Sequence, residues 1–225
     1  MVISSSFYTH PIMLLSALVA IVIGIGKKNK LPELKLIILY PIASIIQGGI
    51  AYYSWTIELE STRWTADYIS ESLFILLEFL ILSHFFRKVI FIKKLRTLII
   101  SISIIYMTYL TCMWIFTSTF YSSPYKIYLF ESLCILLFCF IYLFQLFKLP
   151  PKLNLLSIPS FWITVGCLFY FSCTIPLFFA DSILNYFVHH DNLYSINFLA
   201  YTIFFIIISK AFLCSKVQIK SQSLP

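Results

Sequence analysis

The sequence predicts an all-α membrane protein with seven transmembrane helices, and its composition is the first reason. Hydrophobic residues make up 60% of the 225 residues and charged residues 11%, whereas a soluble domain is about 45–50% apolar and about 25% charged. A soluble fold of this size cannot bury so much apolar surface. An aromatic content of 19% also argues against disorder. The composition therefore argues against a soluble enzyme or a nucleic-acid-binding protein.

The second reason is the spacing of the apolar stretches. A helix that crosses a membrane needs about 20 mostly apolar residues. Turn formers and charges separate the stretches, and no connecting loop is long enough to fold by itself. We therefore predict one domain, residues 1–225. Its seven spans are residues 11–26, 34–55, 68–86, 95–116, 125–147, 159–179 and 193–214.

The distribution of basic residues predicts the orientation. Fourteen of the sixteen Lys and Arg residues follow spans one, three, five and seven, and only Arg63 and Lys126 lie on the other side. Because positively charged loops stay in the cytoplasm, we expect the N-terminus outside and the C-terminus inside a bacterial inner membrane. The net charge of +7 then reflects topology and an attraction to anionic lipids, with no nucleic-acid partner.

The first span is predicted to be a retained helix. A signal peptide begins with a positively charged segment, but residues 1–10 contain no Lys or Arg, and the basic cluster follows the span. This pattern agrees with an N-terminus outside the membrane.

Ionisable and amide side chains at membrane depth are the candidate functional residues, because an ionisable group there costs about 2.5–3.5 kcal/mol on insertion scales. Glu71 and Glu78 are seven residues apart in span three, which is two helical turns, about 10 Å, on nearly one face. Spans two, five and seven supply further polar groups. The candidate ligand- or proton-binding residues are Glu71, Glu78, Glu131, Asn197, Tyr201 and Gln47.

Two interpretations of these residues are open. In the first, they line a polar pocket that opens to the outside and has Glu78 and Gln47 at its floor. In the second, they form hydrogen bonds between helices, each worth about 0.6–2 kcal/mol, and have no other role.

No metal or cofactor is predicted. The sequence His189-His190-Asp191, with Asp181, lies in one loop without the ligand spacing of a zinc site, and a solvated loop explains it. The six cysteines lie in apolar runs without a CxxC pair, which is typical of reduced cysteines that pack as small hydrophobic residues. The common catalytic sequence motifs are also absent.

Several short motifs together resemble a known family. The third span is rich in Glu, the fifth combines Tyr128 with Glu131, and the seventh carries Asn197 and ends with Lys210-Ala211-Phe212-Leu213-Cys214. The sixth contains Pro159, Phe161, Trp162, Ile163, Gly166 and Tyr170. In this order, the features resemble the small seven-helix membrane proteins of Bacteroidota, which are similar to the membrane sensor regions of some histidine kinases. The resemblance implies a sensor, here without a kinase domain.

The sequence thus yields three functional hypotheses. The first is a seven-helix sensor that binds a small ligand or a lipid in an outward-facing polar pocket. It would signal through its basic cytoplasmic loops to a protein partner. The second is a proton-coupled transporter of small molecules with Glu78 as the proton carrier. The third is a membrane enzyme that modifies lipids.

Overall fold

A computed structural model of the chain describes residues 6–27, 34–56, 60–116, 125–148, 154–184 and 190–214. Within these ranges the regular structure is helical. A short 3₁₀ turn, Leu155–Ser157, precedes the sixth α-helix. The seven α-helices are α1 (Ser6–Lys27), α2 (Leu39–Thr56), α3 (Glu60–Val89), α4 (Lys93–Phe116), α5 (Tyr125–Phe147), α6 (Pro159–Leu184) and α7 (His190–Leu213).

Five of these helices are long and apolar enough to cross a membrane. Shorter apolar stretches, Pro11–Gly26 and Leu39–Ala51, lie in α1 and α2. The helical fold class is therefore confirmed and the five helices indicate a membrane protein, whereas seven crossings remain a prediction. The five stretches are Ile69–Val89, Lys93–Met113, Ile127–Phe147, Pro159–Phe179 and Ser195–Leu213.

The start of the second helix differs from the predicted span 34–55. Residues 34–38 form tight turns, in which Ile37 N–H donates to the Leu34 carbonyl at 3.0 Å. The α-helix begins at Leu39 and includes Tyr40. Pro41 has no N–H to donate, but it lies in the first turn of the helix, where the missing donor costs little.

Six helices form a closed ring. Neighbouring pairs are α1 with α2, α2 with α3, α3 with α5, α5 with α6, α6 with α7, and α7 with α1. Helix α4 packs against α3 and α5 from outside this ring. It is the least enclosed of the five long apolar helices, since 17% of its membrane-length stretch is buried, compared with 39–61% for the others.

Contacts between aromatic side chains fix the relative directions of the helices. Phe79 and Phe86 of α3 both pack against Phe138 of α5, and Phe86 also contacts Tyr142, one turn further along α5. Helices α3 and α5 are therefore parallel. The Tyr142 hydroxyl is hydrogen-bonded at 2.6 Å to Ser160, at the start of α6, so α6 runs antiparallel to α5.

One end of the bundle carries the basic side chains that the structure describes. All of them are exposed, and they lie where α3, α5 and α7 end and where α2 and α4 begin. This grouping agrees with the charge pattern from which the orientation is predicted. We call it the basic end, and its residues are Lys35, Arg87, Lys88, Lys93, Lys94, Arg96, Lys148 and Lys210.

The distribution of apolar and polar side chains in the bundle is the reverse of that in a soluble protein. Large apolar side chains such as Leu15, Val22, Phe140 and Phe144 are exposed on the outer faces. Serine, threonine, glutamine and glutamate side chains are buried inside. Contiguous apolar exteriors of this kind mark surfaces that contact lipid.

Helices α6 and α7 approach closely at Gly166. A β-carbon on Gly166 would lie 2.9 Å from Phe204 and 3.2 Å from Ile207, whereas one on Gly49 in α2 would meet nothing within 4 Å. Small residues allow such close packing between membrane helices.

We predict that Gly166→Val lowers the thermal unfolding midpoint of the protein in detergent, because the new side chain overpacks this contact at a cost of about 1–3 kcal/mol. Gly49→Val is the matched control and should leave the midpoint nearly unchanged. Equal midpoints for the two variants would contradict the close approach of α6 and α7.

Candidate functional site

Two carboxyl groups lie in the centre of the bundle. Glu78 on α3 is 1% exposed and Glu131 on the neighbouring α5 is 0% exposed, and the two side chains are close enough to interact electrostatically. The Lys and Arg side chains that the structure describes are all exposed, so none of them neutralises this pair from within the core. We call Glu78 and Glu131 the carboxyl pair.

Tyr40 binds the carboxyl pair directly. Its hydroxyl donates a 2.6 Å hydrogen bond to Glu78 Oε1. The Tyr40 ring is buried and packs edge-on against Phe204 of α7, with ring centroids 5.3 Å apart. Because α2 begins at Leu39, its first turn places this hydroxyl beside the middle of α3.

Four more buried tyrosines surround the pair, and each interacts electrostatically with Glu78. Together with Tyr40 they form what we call the tyrosine cage. Its members come from α2, α4, α5, α6 and α7, so the complete site with Glu78 on α3 draws on six helices. The cage residues are Tyr40, Tyr106, Tyr128, Tyr170 and Tyr201.

Aromatic packing holds the cage tyrosines in place. The ring centroids of Tyr170 and Tyr201 are 4.3 Å apart. On the other side of the site, the Tyr106 ring lies 4.0 Å from Phe79 and stacks on Phe130 at 5.7 Å. Ring contacts of this kind restrict where each hydroxyl can point.

Several polar atoms of the site lack a hydrogen-bond partner among the described residues. They are Glu78 Oε2, both carboxyl oxygens of Glu131 and the hydroxyl of Tyr106, whereas the hydroxyls of Tyr170 and Tyr201 are close enough to interact with each other. Most buried polar groups in proteins are hydrogen-bonded, and each unsatisfied group costs about 1–3 kcal/mol. A bound proton or ligand with suitable donors and acceptors would satisfy this concentrated set.

The two sides of the carboxyl pair differ in polarity. Towards the basic end lie the fully buried rings of Phe85, Phe86 and Phe138, which we call the aromatic layer. The centroids of Phe86 and Phe138 are 6.1 Å apart. Away from the basic end, Glu71 interacts electrostatically with Tyr128 of the cage. Polar groups thus lead to the site from the end opposite the basic end.

The structure brings together three of the six candidate residues, Glu78, Glu131 and Tyr201. Glu71 is half-buried and lies two turns from Glu78, beside Tyr128. Asn197 is half-buried one turn before Tyr201, and its Oδ1 is a further buried oxygen without a partner among the described residues.

Gln47 is half-buried and lies seven residues, about 10 Å, beyond Tyr40 along α2. Tyr40 rather than Gln47 is the α2 residue that bonds Glu78.

Sequence analysis did not select Tyr40, Tyr106, Tyr128 or Tyr170 as candidate binding residues. The chain contains 15 tyrosines, and no local pattern separates these four from the rest. Tyr106 and Tyr170 lie near the middle of their predicted spans, which was the one available signal.

The structure gives no evidence for a metal site within the described residues, where no three His, Cys, Asp or Glu side chains cluster suitably. The side chains of His189, His190 and Asp191, considered above, lie outside the described set.

We predict that Tyr40→Phe shifts the infrared carbonyl stretching band of Glu78 to higher frequency, because the carboxyl loses its 2.6 Å hydrogen bond. The band is assigned as the one that disappears in Glu78→Gln. Tyr142→Phe is the matched control, since it removes a tyrosine hydrogen bond to Ser160 instead. An unchanged band in Tyr40→Phe would contradict the contact.

Comparison of the chain with known protein families, with curated proteins and with solved structures finds no match. The relation to the small seven-helix proteins of Bacteroidota therefore remains a prediction. Function must be argued from the geometry of the site.

Proposed function

We propose that this protein is a seven-helix sensor that binds a small ligand or a lipid at the carboxyl pair, in the inner membrane of a bacterium. The observation that carries the proposal is the composition of the site. Buried polar atoms from six helices converge on Glu78 and Glu131.

The contrast with other buried polar groups favours ligand binding over hydrogen bonding between helices alone. Some polar side chains elsewhere in the core are paired, whereas Ser132 Oγ and Gln145 Nε2, like the site atoms, have no described partner. Tyr142 bonds Ser160 at 2.6 Å, and the Gln145 carbonyl oxygen accepts the Phe91 N–H at 2.9 Å. If the candidate residues served only to join helices, Glu131 should be paired in the same way, but neither of its oxygens has a described partner.

The position of the site suggests how ligand binding would alter the structure at the basic end. A ligand at the carboxyl pair would contact α3 and α5 together. Near the end of α5, Gln145 holds the backbone at Phe91 between α3 and α4. The Arg96 guanidinium also donates to the Ile90 carbonyl at 2.9 Å. A shift of α5 relative to α3 would therefore move the start of α4, which carries Lys93 and Lys94, where an anionic lipid or an acidic protein partner would bind.

Access from outside follows from the asymmetry of the site. The aromatic layer separates the carboxyl pair from the basic end, while Glu71 and Asn197 lie on the opposite side. With the basic end in the cytoplasm, as the distribution of positive charge predicts, the ligand would enter from the outer surface.

Proton-coupled transport is the second candidate, and the mid-membrane position of Glu78 within Ile69–Val89 is the observation that favours it. Transport requires access from both sides in turn. A transporter in liposomes would show substrate uptake that follows a pH gradient and is abolished by Glu78→Gln. A sensor would show saturable binding without uptake.

We predict that gently solubilised wild-type protein carries a co-purifying small molecule or lipid in native mass spectrometry, and that Glu78→Gln/Glu131→Gln loses it. Tyr142→Phe, which changes a buried hydroxyl outside the tyrosine cage, should retain it. Bare protein in all three samples, with equal unfolding midpoints, would reject the binding function and favour hydrogen bonding between helices.

We predict that green fluorescent protein fused to the C-terminus is fluorescent in a bacterial host, whereas alkaline phosphatase fused there is inactive, because the basic end faces the cytoplasm. Fusions placed within the loop between α4 and α5 should give the opposite pair of results. Active phosphatase at the C-terminus would reverse the proposed orientation.

A further inference from the structure

We propose that the ligand of the carboxyl pair is an organic ammonium ion with small apolar substituents. This inference rests on the proposed binding function and adds the chemical class of the ligand. It is drawn from the charge of the site, the acceptor atoms that surround it, and its depth in the bundle.

The charge of the site favours a cation. The titratable groups that face Glu78 and Glu131 are acids from five helices, and no described Lys, Arg or His side chain is among them. An anionic ligand would meet carboxyl groups with no positive charge to offset them. A monocation that replaces one proton of the pair leaves the net charge of the site unchanged. The facing groups are Tyr40, Tyr106, Tyr128, Cys134, Tyr170 and Tyr201.

The unpartnered atoms favour a ligand that donates hydrogen bonds. Both oxygens of Glu131 and Oε2 of Glu78 accept, and the hydroxyl oxygen of Tyr106 accepts as well. An ammonium group supplies several N–H donors at one point. Hydrogen bonds between an ammonium and a carboxylate are about twice as strong as bonds between neutral groups.

The surrounding rings and the depth of the site favour apolar substituents. A bare, strongly hydrated ion loses much solvation energy at the centre of an apolar bundle. Tyr170 stacks on Phe204 with centroids 5.5 Å apart, and Tyr106 lies 4.0 Å from Phe79. Aromatic side chains attract organic cations through their ring faces, and the apolar part of such a cation needs no hydration.

The test compares two probes that share one carbon skeleton, isoamylammonium and isoamyl alcohol, on the full chain in lipid nanodiscs. Isoamylammonium should raise the unfolding midpoint in a saturable manner, whereas isoamyl alcohol and potassium chloride should not.

Binding of isoamylammonium should weaken as the pH falls, because protons compete for the carboxyl pair. Glu131→Gln should weaken the ammonium affinity about tenfold or more. Thr164→Val, a buried change within α6 at a hydroxyl that bonds the Ser160 carbonyl, should not.

If Glu131→Gln does not fold, Tyr106→Phe provides the second variant, because it removes an unpartnered hydroxyl and keeps the ring. This variant should weaken the ammonium affinity severalfold.

The inference is overturned if the alcohol or potassium stabilises the protein as much as isoamylammonium does. It is also overturned if both site variants keep the full stabilisation by isoamylammonium. A neutral lipid that co-purifies with wild type and is lost in Glu78→Gln/Glu131→Gln would overturn the ammonium ligand while keeping the binding function. No co-purifying molecule and no response to any probe would overturn both.

Discussion

The burial of two carboxyl groups in the centre of an apolar bundle is the constraint on which the rest of this structure depends. Glu78 and Glu131 are removed from solvent in a region where an ionisable group costs about 2.5–3.5 kcal/mol. A hydrogen bond from Tyr40 of α2 to Glu78 offsets part of that cost. Pro41 helps to start α2 beside the middle of α3, and the Tyr40 hydroxyl can then donate to Glu78.

The side chains of the bundle form layers along its axis. Half-buried polar groups, among them Glu71 and Asn197, precede the carboxyl pair. The aromatic layer follows it, and exposed Lys and Arg residues lie at the end. A ligand that enters from the side of Glu71 and Asn197 would be separated from the basic end by the aromatic layer, and its effect there would be transmitted through helices α3 and α5.

Helix α4 contributes a residue to the site although it lies outside the ring of helices. It lies outside the ring and is the least enclosed of the long helices, yet Tyr106 reaches the carboxyl pair between Phe79 and Phe130. Its first turn is joined to the residue after α3 by the hydrogen bond from Arg96 to the Ile90 carbonyl.

The sequence by itself pointed to seven apolar helices, because apolar length is a local property, but α1, α3 and α6 extend five or more residues beyond the predicted spans and α2 begins later. It also pointed to Glu78, Glu131 and Tyr201, because polar groups are rare within apolar runs. Only the tertiary structure decided the helix neighbours, the peripheral place of α4, and the selection of Tyr40 and Tyr106 from 15 tyrosines. When apolar residues cover every face of a helix, the sequence gives no preferred rotation about its axis, and only packing against neighbours sets it.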